Sequence, residues 1–145
     1  MLVFEANQKI TAAPDVVWRH LTEPALMGVW MFGDAKAMRS ADEEPLVRGA
    51  QLVFKARGAV RTSEVVEYEA ERRLVLRSAQ GSIAATYIYE ITPERAGTFT
   101  TLSVECTAQG VSKVFAPLIR PLIRISDSKQ LEALKNAIKG AGKKS

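Results

Sequence analysis

The sequence predicts an α+β domain in which a curved antiparallel sheet of about seven strands wraps around one long C-terminal helix. Three observations carry this reading. Runs rich in Val, Ile, Thr, Tyr and Phe recur at strand length from about residue 34 to 108, and the breaks between them are too short for crossover helices, so successive strands must pair antiparallel. After Gly110 the apolar spacing becomes helical, with Val111, Val114, Phe115, Leu118, Ile119 and Leu122, then Leu131, Leu134 and Ile138. The strands also carry one apolar face, which a long apolar helix can cover.

Each element has its own local signal. Leu2 to Thr11 has β character through Val3, Phe4, Ala6 and Ile10, and stops at Ala13-Pro14-Asp15. Pro14 suits a first helical turn and Asp15 its positive end, so a short helix through Val16, Val17, Trp18, His20 and Leu21 runs to Thr22-Glu23-Pro24. A second short helix from Pro24 to about Trp30 places Leu26, Met27 and Trp30 at helical spacing. Strand breaks follow at Val47-Arg48-Gly49, Ala56-Arg57-Gly58, Glu69-Ala70-Glu71, Gln80-Gly81, Thr92-Pro93 with Ala96-Gly97, and Gln109-Gly110. The last helix is one rod to Lys139-Gly140, or two halves joined near Pro121, which removes a backbone bond and kinks it.

Alternation sorts the strand faces, because neighbouring strand residues point to opposite sides. Leu52, Phe54 and Ala56 share the covered face with Leu74, Leu76 and Ser78, with Ile83, Ala85, Tyr87, Tyr89 and Ile91, and with Leu102, Val104 and Cys106. Lys55, Arg57, Arg73, Arg77, Glu90, Ser103 and Glu105 fall on the wet face. Between Val60 and Tyr68 both phases are plausible; the reading places Val60, Thr62, Glu64, Val66 and Tyr68 inward.

Composition excludes several classes. With 145 residues, 47% of them hydrophobic and 25% charged, the chain suits one domain over residues 1–145, with 140–145 expected as a flexible basic tail. Cys106 is the only cysteine and His20 the only histidine, so neither a disulfide nor a zinc cluster has material, and no metal or cofactor is expected. The net charge of +4 falls to +1 without Lys139, Lys143 and Lys144, too little for a nucleic-acid surface. Acid and amide groups near the N-terminus do not suit a signal peptide, and the longest uncharged stretch, Ser78 to Tyr89, is too mixed and short for a membrane helix, so a cytoplasmic protein is expected. Gly140 to Ser145 imitates a phosphate loop, but its spacing fails and no helix follows.

Taken together, the opening Ile10-Thr11-Ala12-Ala13-Pro14-Asp15-Val16-Val17-Trp18, then Leu21-Thr22-Glu23-Pro24 and Trp30, then Val65-Val66-Glu67-Tyr68-Glu69-Ala70-Glu71-Arg72-Arg73-Leu74, Gly97-Thr98 and the final helix resemble the START/Bet v 1-like superfamily of helix-grip domains. Within it the likeness is to the bacterial polyketide cyclase/dehydrase and lipid-transport group. Ala70 departs from the pattern, since relatives often have proline there. The resemblance covers nearly the whole chain and implies an internal apolar cavity for lipids, polyketides, quinones or similar molecules. Its members include carriers, cyclases, receptors and accessory proteins, so activity does not follow from fold.

The expected ligand-binding residues are Trp30, Met38, Phe54, Leu76, Tyr87, Tyr89, Val104, Phe115, Ile119, Leu122 and Ile123, against the plainer reading that they only fill a core. Catalytic residues are not identified; Glu64 and Tyr87 are the candidates, because a carboxylate or phenol on a covered apolar face is the kind of group that moves protons. Glu67 and Glu69, beside Arg61 and Arg73, read as an exposed charge ladder. His20 reads as a helix-end residue and Cys106 as a buried inert thiol. Arg120 and Arg124 would permit transient contact with anionic lipid. Hydrophobic-ligand binding is therefore expected, with a cyclase or dehydratase and a partner-docking accessory protein as alternatives; the oligomeric state is left open.

Overall fold

The computed structural model describes residues 2–32, 36, 38–40, 46–56, 59–80, 83–108 and 130–143. The strands are β1 (Leu2–Ile10), β2 (Met38–Ser40), β3 (Gln51–Ala56), β4 (Ala59–Glu69), β5 (Arg73–Gln80), β6 (Ile83–Glu94) and β7 (Gly97–Ala108), and the helices are α1 (Pro14–Thr22), α2 (Pro24–Phe32) and α3 (Gln130–Lys143). All seven strands form one sheet in the order β1-β7-β6-β5-β4-β3-β2, with every neighbouring pair antiparallel. The meander from β2 to β7 follows from its short connections, and β1 alone pairs with a strand remote in sequence.

Pro14 opens α1 and Asp15 sits in its first turn, where the exposed N–H groups favour an acid. The helix buries Val17, Trp18, His20 and Leu21, the face the apolar spacing selects. Pro24 then opens α2 directly, so the two helices meet at Glu23, whose carbonyl accepts the Met27 N–H at 2.9 Å. α3 continues through Gly140 to Lys143, so residues 140–143, expected as tail, are helical.

The predicted covered face is the buried one on β5, β6 and β7. Leu74, Leu76, Tyr89, Ile91, Leu102, Val104 and Cys106 are all buried, and they join Val17, Trp18, Leu21, Met27, Trp30, Leu131, Leu134 and Ile138 from the helices apart from Cys106, which is buried outside that cluster. Pro93 does not end β6: the Ile91 N–H, the last on that side, reaches the Arg72 carbonyl at 2.9 Å. Pro93 therefore lies beyond the end of β5, where a strand needs no further donor.

β4 corrects the expected phase. Ser63 and Val65 are buried while Thr62 and Glu64 are exposed, so Glu64 does not face the covered side. A bulge is the reason: Val65 pairs with Leu76 but the next pair is Glu67 with Val75, leaving Val66 as the extra residue. The bulge shifts the alternation by one, so Tyr68 returns inward opposite Leu74. Its other side is held by Gly49 and Ala50, with Gly49 N–H donating to the Val65 carbonyl at 2.8 Å and Val65 N–H to the Ala50 carbonyl at 2.9 Å. Gly49 has φ +92° at the third position of the Val47–Ala50 turn, closed by a 3.0 Å bond, a position that favours glycine.

The wet face carries a charge ladder centred on Arg73; of the expected members it joins Glu67, with Glu90 in place of Glu69, while Arg61 pairs across the strands with Phe54. Arg73 Nε lies 2.6 Å from Glu67 Oε2 and its Nη1 3.3 Å from Glu90 Oε2. The hydrogen bond from Arg73 to Glu67, helped by the charges of Glu67 and Glu90, holds its guanidinium above the ordinary value despite partial burial.

Two parts of the resemblance meet in space. Trp18 from α1 donates its indole N–H to the Tyr68 hydroxyl at 3.3 Å, and the rings pack edge to face at 5.4 Å. Gly97 and Thr98 hold the end of β1: a Cβ on Gly97 would stand 2.5 Å from the Ile10 carbonyl oxygen, and the Thr98 hydroxyl donates to the Ala12 carbonyl at 2.8 Å. Ala70 occupies the second position of the Glu69–Arg72 turn, which suits proline, while Glu71 takes φ +59° at the third.

Candidate ligand site

Register converts the covered face into rows that cross the sheet. In one row Ala6, Leu102, Tyr89, Leu74 and Tyr68 are successive neighbours on β1, β7, β6, β5 and β4. Leu74 and Leu102 are fully buried and Tyr89 is 1% exposed. Trp30 packs edge to face on Tyr89 at 6.1 Å and donates its indole N–H to the His20 carbonyl at 2.7 Å. This half of the face is sealed by α1, α2 and α3.

The next row holds Val104, Tyr87, Leu76 and Val65. Val104, Leu76 and Val65 are buried, but Tyr87 remains partly exposed. Beyond it runs a row of mostly small side chains interrupted by the fully buried Leu52: Cys106 pairs with Ala85, Ala85 with Ser78, Ser63 with Leu52 and Leu52 with Ser40. The Ser63 and Ser78 hydroxyls bond each other across β4 and β5, which joins the row into one line. Ser78 and Ala85 are partly exposed although they point to the covered side. At the far edge Met38 and Phe54 pair across β2 and β3, Met38 buried and Phe54 partly so.

The structure thus gathers seven of the expected ligand-binding residues on one face. Leu76, Tyr87 and Val104 are direct neighbours, Tyr89 and Trp30 adjoin them on the sealed side, and Met38 and Phe54 close the opposite edge. Phe115, Ile119, Leu122 and Ile123 lie outside the described residues, as do Arg120 and Arg124. Of the two catalytic candidates, Tyr87 belongs to this face; Glu64 is exposed on the other, paired across the strands with Arg77. Sequence reading missed Ser63, because the bulge was invisible, and so missed the bonded serine pair.

One concavity was not anticipated. It lies where the end of β1 meets α1, α2 and α3, with a volume of about 440 Å³. Ile10, Val16, Leu26 and Ile138 line it together with Arg19, His20, Lys135 and Lys139, and Thr11 and Ala12 complete the wall. His20 stands in the last turn of α1 as expected and is buried there, 6% exposed, its Nδ1–H donating to the Val16 carbonyl at 3.0 Å.

Among the described residues no three His, Cys, Asp or Glu side chains are placed to hold a metal ion, and no helix is long and apolar enough to cross a membrane.

Comparison with known families decides the relationship. The family model for polyketide cyclase / dehydrase and lipid transport matches residues 1–139. The chain belongs to that family. No curated protein matches it. Among solved structures, protein MLL2253 from Mesorhizobium loti superposes with a TM-score of 0.73 at 17% identity, covering 94% of this chain and 96% of that one. Protein NE0264 from Nitrosomonas europaea gives 0.70 at 18% identity, with 96% and 95% covered. DynU16, from the dynemicin biosynthetic locus, gives 0.69 at 18% identity, covering 93% of this chain and 46% of DynU16. At these identities the likeness establishes the helix-grip fold, and the family membership makes it a hydrophobic-ligand-binding one.

Proposed function

We propose that the protein binds a small hydrophobic molecule (a lipid, polyketide, quinone or similar) against the small-residue half of the covered sheet face. The observation that carries this reading is the partial exposure of Tyr87, Ser78, Ala85 and Phe54 on the side of the sheet where Tyr89, Leu74 and Leu102 are sealed. Large inward side chains fill one half; small ones leave room over the other. An apolar wall with a few polar groups is the usual make-up of a small-molecule site. Leu76, Val104 and Phe54 would supply apolar contact, while Tyr87 and the Ser63–Ser78 pair would orient a ligand's polar end. Phe115, Ile119, Leu122 and Ile123 are proposed to close the cavity from the helix side.

In this reading the protein is a binder or carrier that works in the cytoplasm without a cofactor. A cyclase or dehydratase would need an acid or base beside the ligand, and with Glu64 on the outer face Tyr87 is the remaining candidate of the two. The test is native mass spectrometry of the purified protein, followed by denaturing extraction of whatever it carries. A stoichiometric apolar adduct is expected. A clean unliganded mass that persists after incubation with fatty acids, quinones and aromatic polyketides would overturn the reading and favour docking on a partner through the outer surface.

A further inference from the structure

The groove between β1, α1, α2 and α3 has a composition unlike the proposed sheet site. Its floor is aliphatic, made by Ile10 and Ile138, which are 1% and 7% exposed, with Val16 and Leu26 partly exposed beside them. Its charged rim is wholly cationic: Arg19, Lys135 and Lys139 line it, and no carboxylate is among the described lining residues. Lys135 and Lys139 stand one helical turn apart on α3, a like-charge spacing that disfavours the helix unless an anion lies between them. Arg19 is engaged by Glu23 at 3.1 Å, but both side chains are exposed, and such a pair is weak enough to exchange for another anion.

We propose that this groove is a second site, opening outward, for a free single-chain amphiphile with an anionic head, of the fatty-acid class. The acyl chain lies on the partly exposed Val16 and Leu26, over the buried Ile10 and Ile138. The carboxylate sits at the rim, between the Lys135 and Lys139 ammonium groups and within reach of Arg19. A volume of about 440 Å³ is near the low end of the roughly 300–1,000 Å³ typical of small-molecule sites, which suits one chain and not a two-chain phospholipid. The site shares no residue with the proposed sheet cavity, so either can exist without the other.

The test is an amide-shift titration of the ¹⁵N-labelled protein with decanoate, run alongside decanol and phosphatidylglycerol vesicles. Decanoate is expected to shift Thr11, Arg19, His20, Leu26, Lys135 and Lys139 together, with decanol much weaker there. The double variant Lys135→Glu, Lys139→Glu should weaken decanoate at these amides by about tenfold or more, as losing two charge-assisted contacts implies. Ala85→Leu, in the sheet cavity, should leave those shifts unchanged even where native mass spectrometry finds no cavity ligand. Decanoate shifts confined to Ser78, Ala85 and Tyr87, equal binding of decanol, unchanged affinity in the double variant, or a response to vesicles and not to decanoate would each overturn the proposal.

Discussion

The two halves of the covered sheet face are built from the same strands and differ in side-chain size. Around Tyr89 the row from Ala6 to Tyr68 meets Trp30 and the helices, and its central side chains Leu102, Tyr89 and Leu74 are closed to solvent. Two rows away the side chains are mostly small: Ser78 and Ala85 are partly exposed, while Cys106, Ser63 and Ser40 are buried with Leu52 between the two serines. Under the proposed function the difference is a division of labour: the sealed half stabilises the fold, and the partly exposed side chains around Tyr87 receive the ligand. Stability and ligand binding should therefore respond to different mutations.

The strongest test of that division is Leu102→Ala, which empties the sealed half. It should lower unfolding stability by about 2–5 kcal/mol in urea titrations. Gly97→Ala comes next, because the new Cβ would collide with the Ile10 carbonyl oxygen; a loss of about 1–3 kcal/mol is expected from the forced backbone shift. Trp18→Phe keeps an aromatic ring but removes the indole donor to Tyr68, for about 0.5–1.5 kcal/mol by the same assay. Ala85→Leu inverts the order of effects. Ala85 is partly exposed, so the added bulk does not enter a sealed core and stability should change by less than about 1 kcal/mol, while the ligand-bound fraction in native mass spectra falls. Glu64→Gln should do least, within about 0.5 kcal/mol in stability and with the bound fraction unchanged, because the side chain is exposed on the outer face.

Much of this was legible in the sequence where period and burial agree. Strands β5, β6 and β7 alternate without interruption, so Leu74 and Leu76, Tyr87 and Tyr89, and Leu102 and Val104 could be assigned to one face by counting in twos. β4 defeated the same count. Val65 and Val66 are adjacent and chemically alike, and nothing in their identity shows which one the sheet leaves unpaired; the choice is made by Leu76 on one side and Gly49 and Ala50 on the other. That single slip carried Glu64 to the covered face in the reading and hid Ser63. The groove was illegible for another reason. It is made by Ile10 and Ile138, which have ordinary core character in their own elements and become neighbours only when both ends of the chain are packed.

The attachment of β1 has a kinetic meaning. Every strand from β3 to β7 pairs with the one before it, and these contacts can form by closing short loops. β1 has no such neighbour: Ile10 must find Thr98, and Ala12 the hydroxyl of that same threonine, across 86 residues. Loop-closure entropy makes such a pairing slow relative to the hairpins. β1, made before the strand it pairs with, is thus placed last, and the lock formed by Gly97 and Thr98 closes the sheet only once β7 exists to receive it.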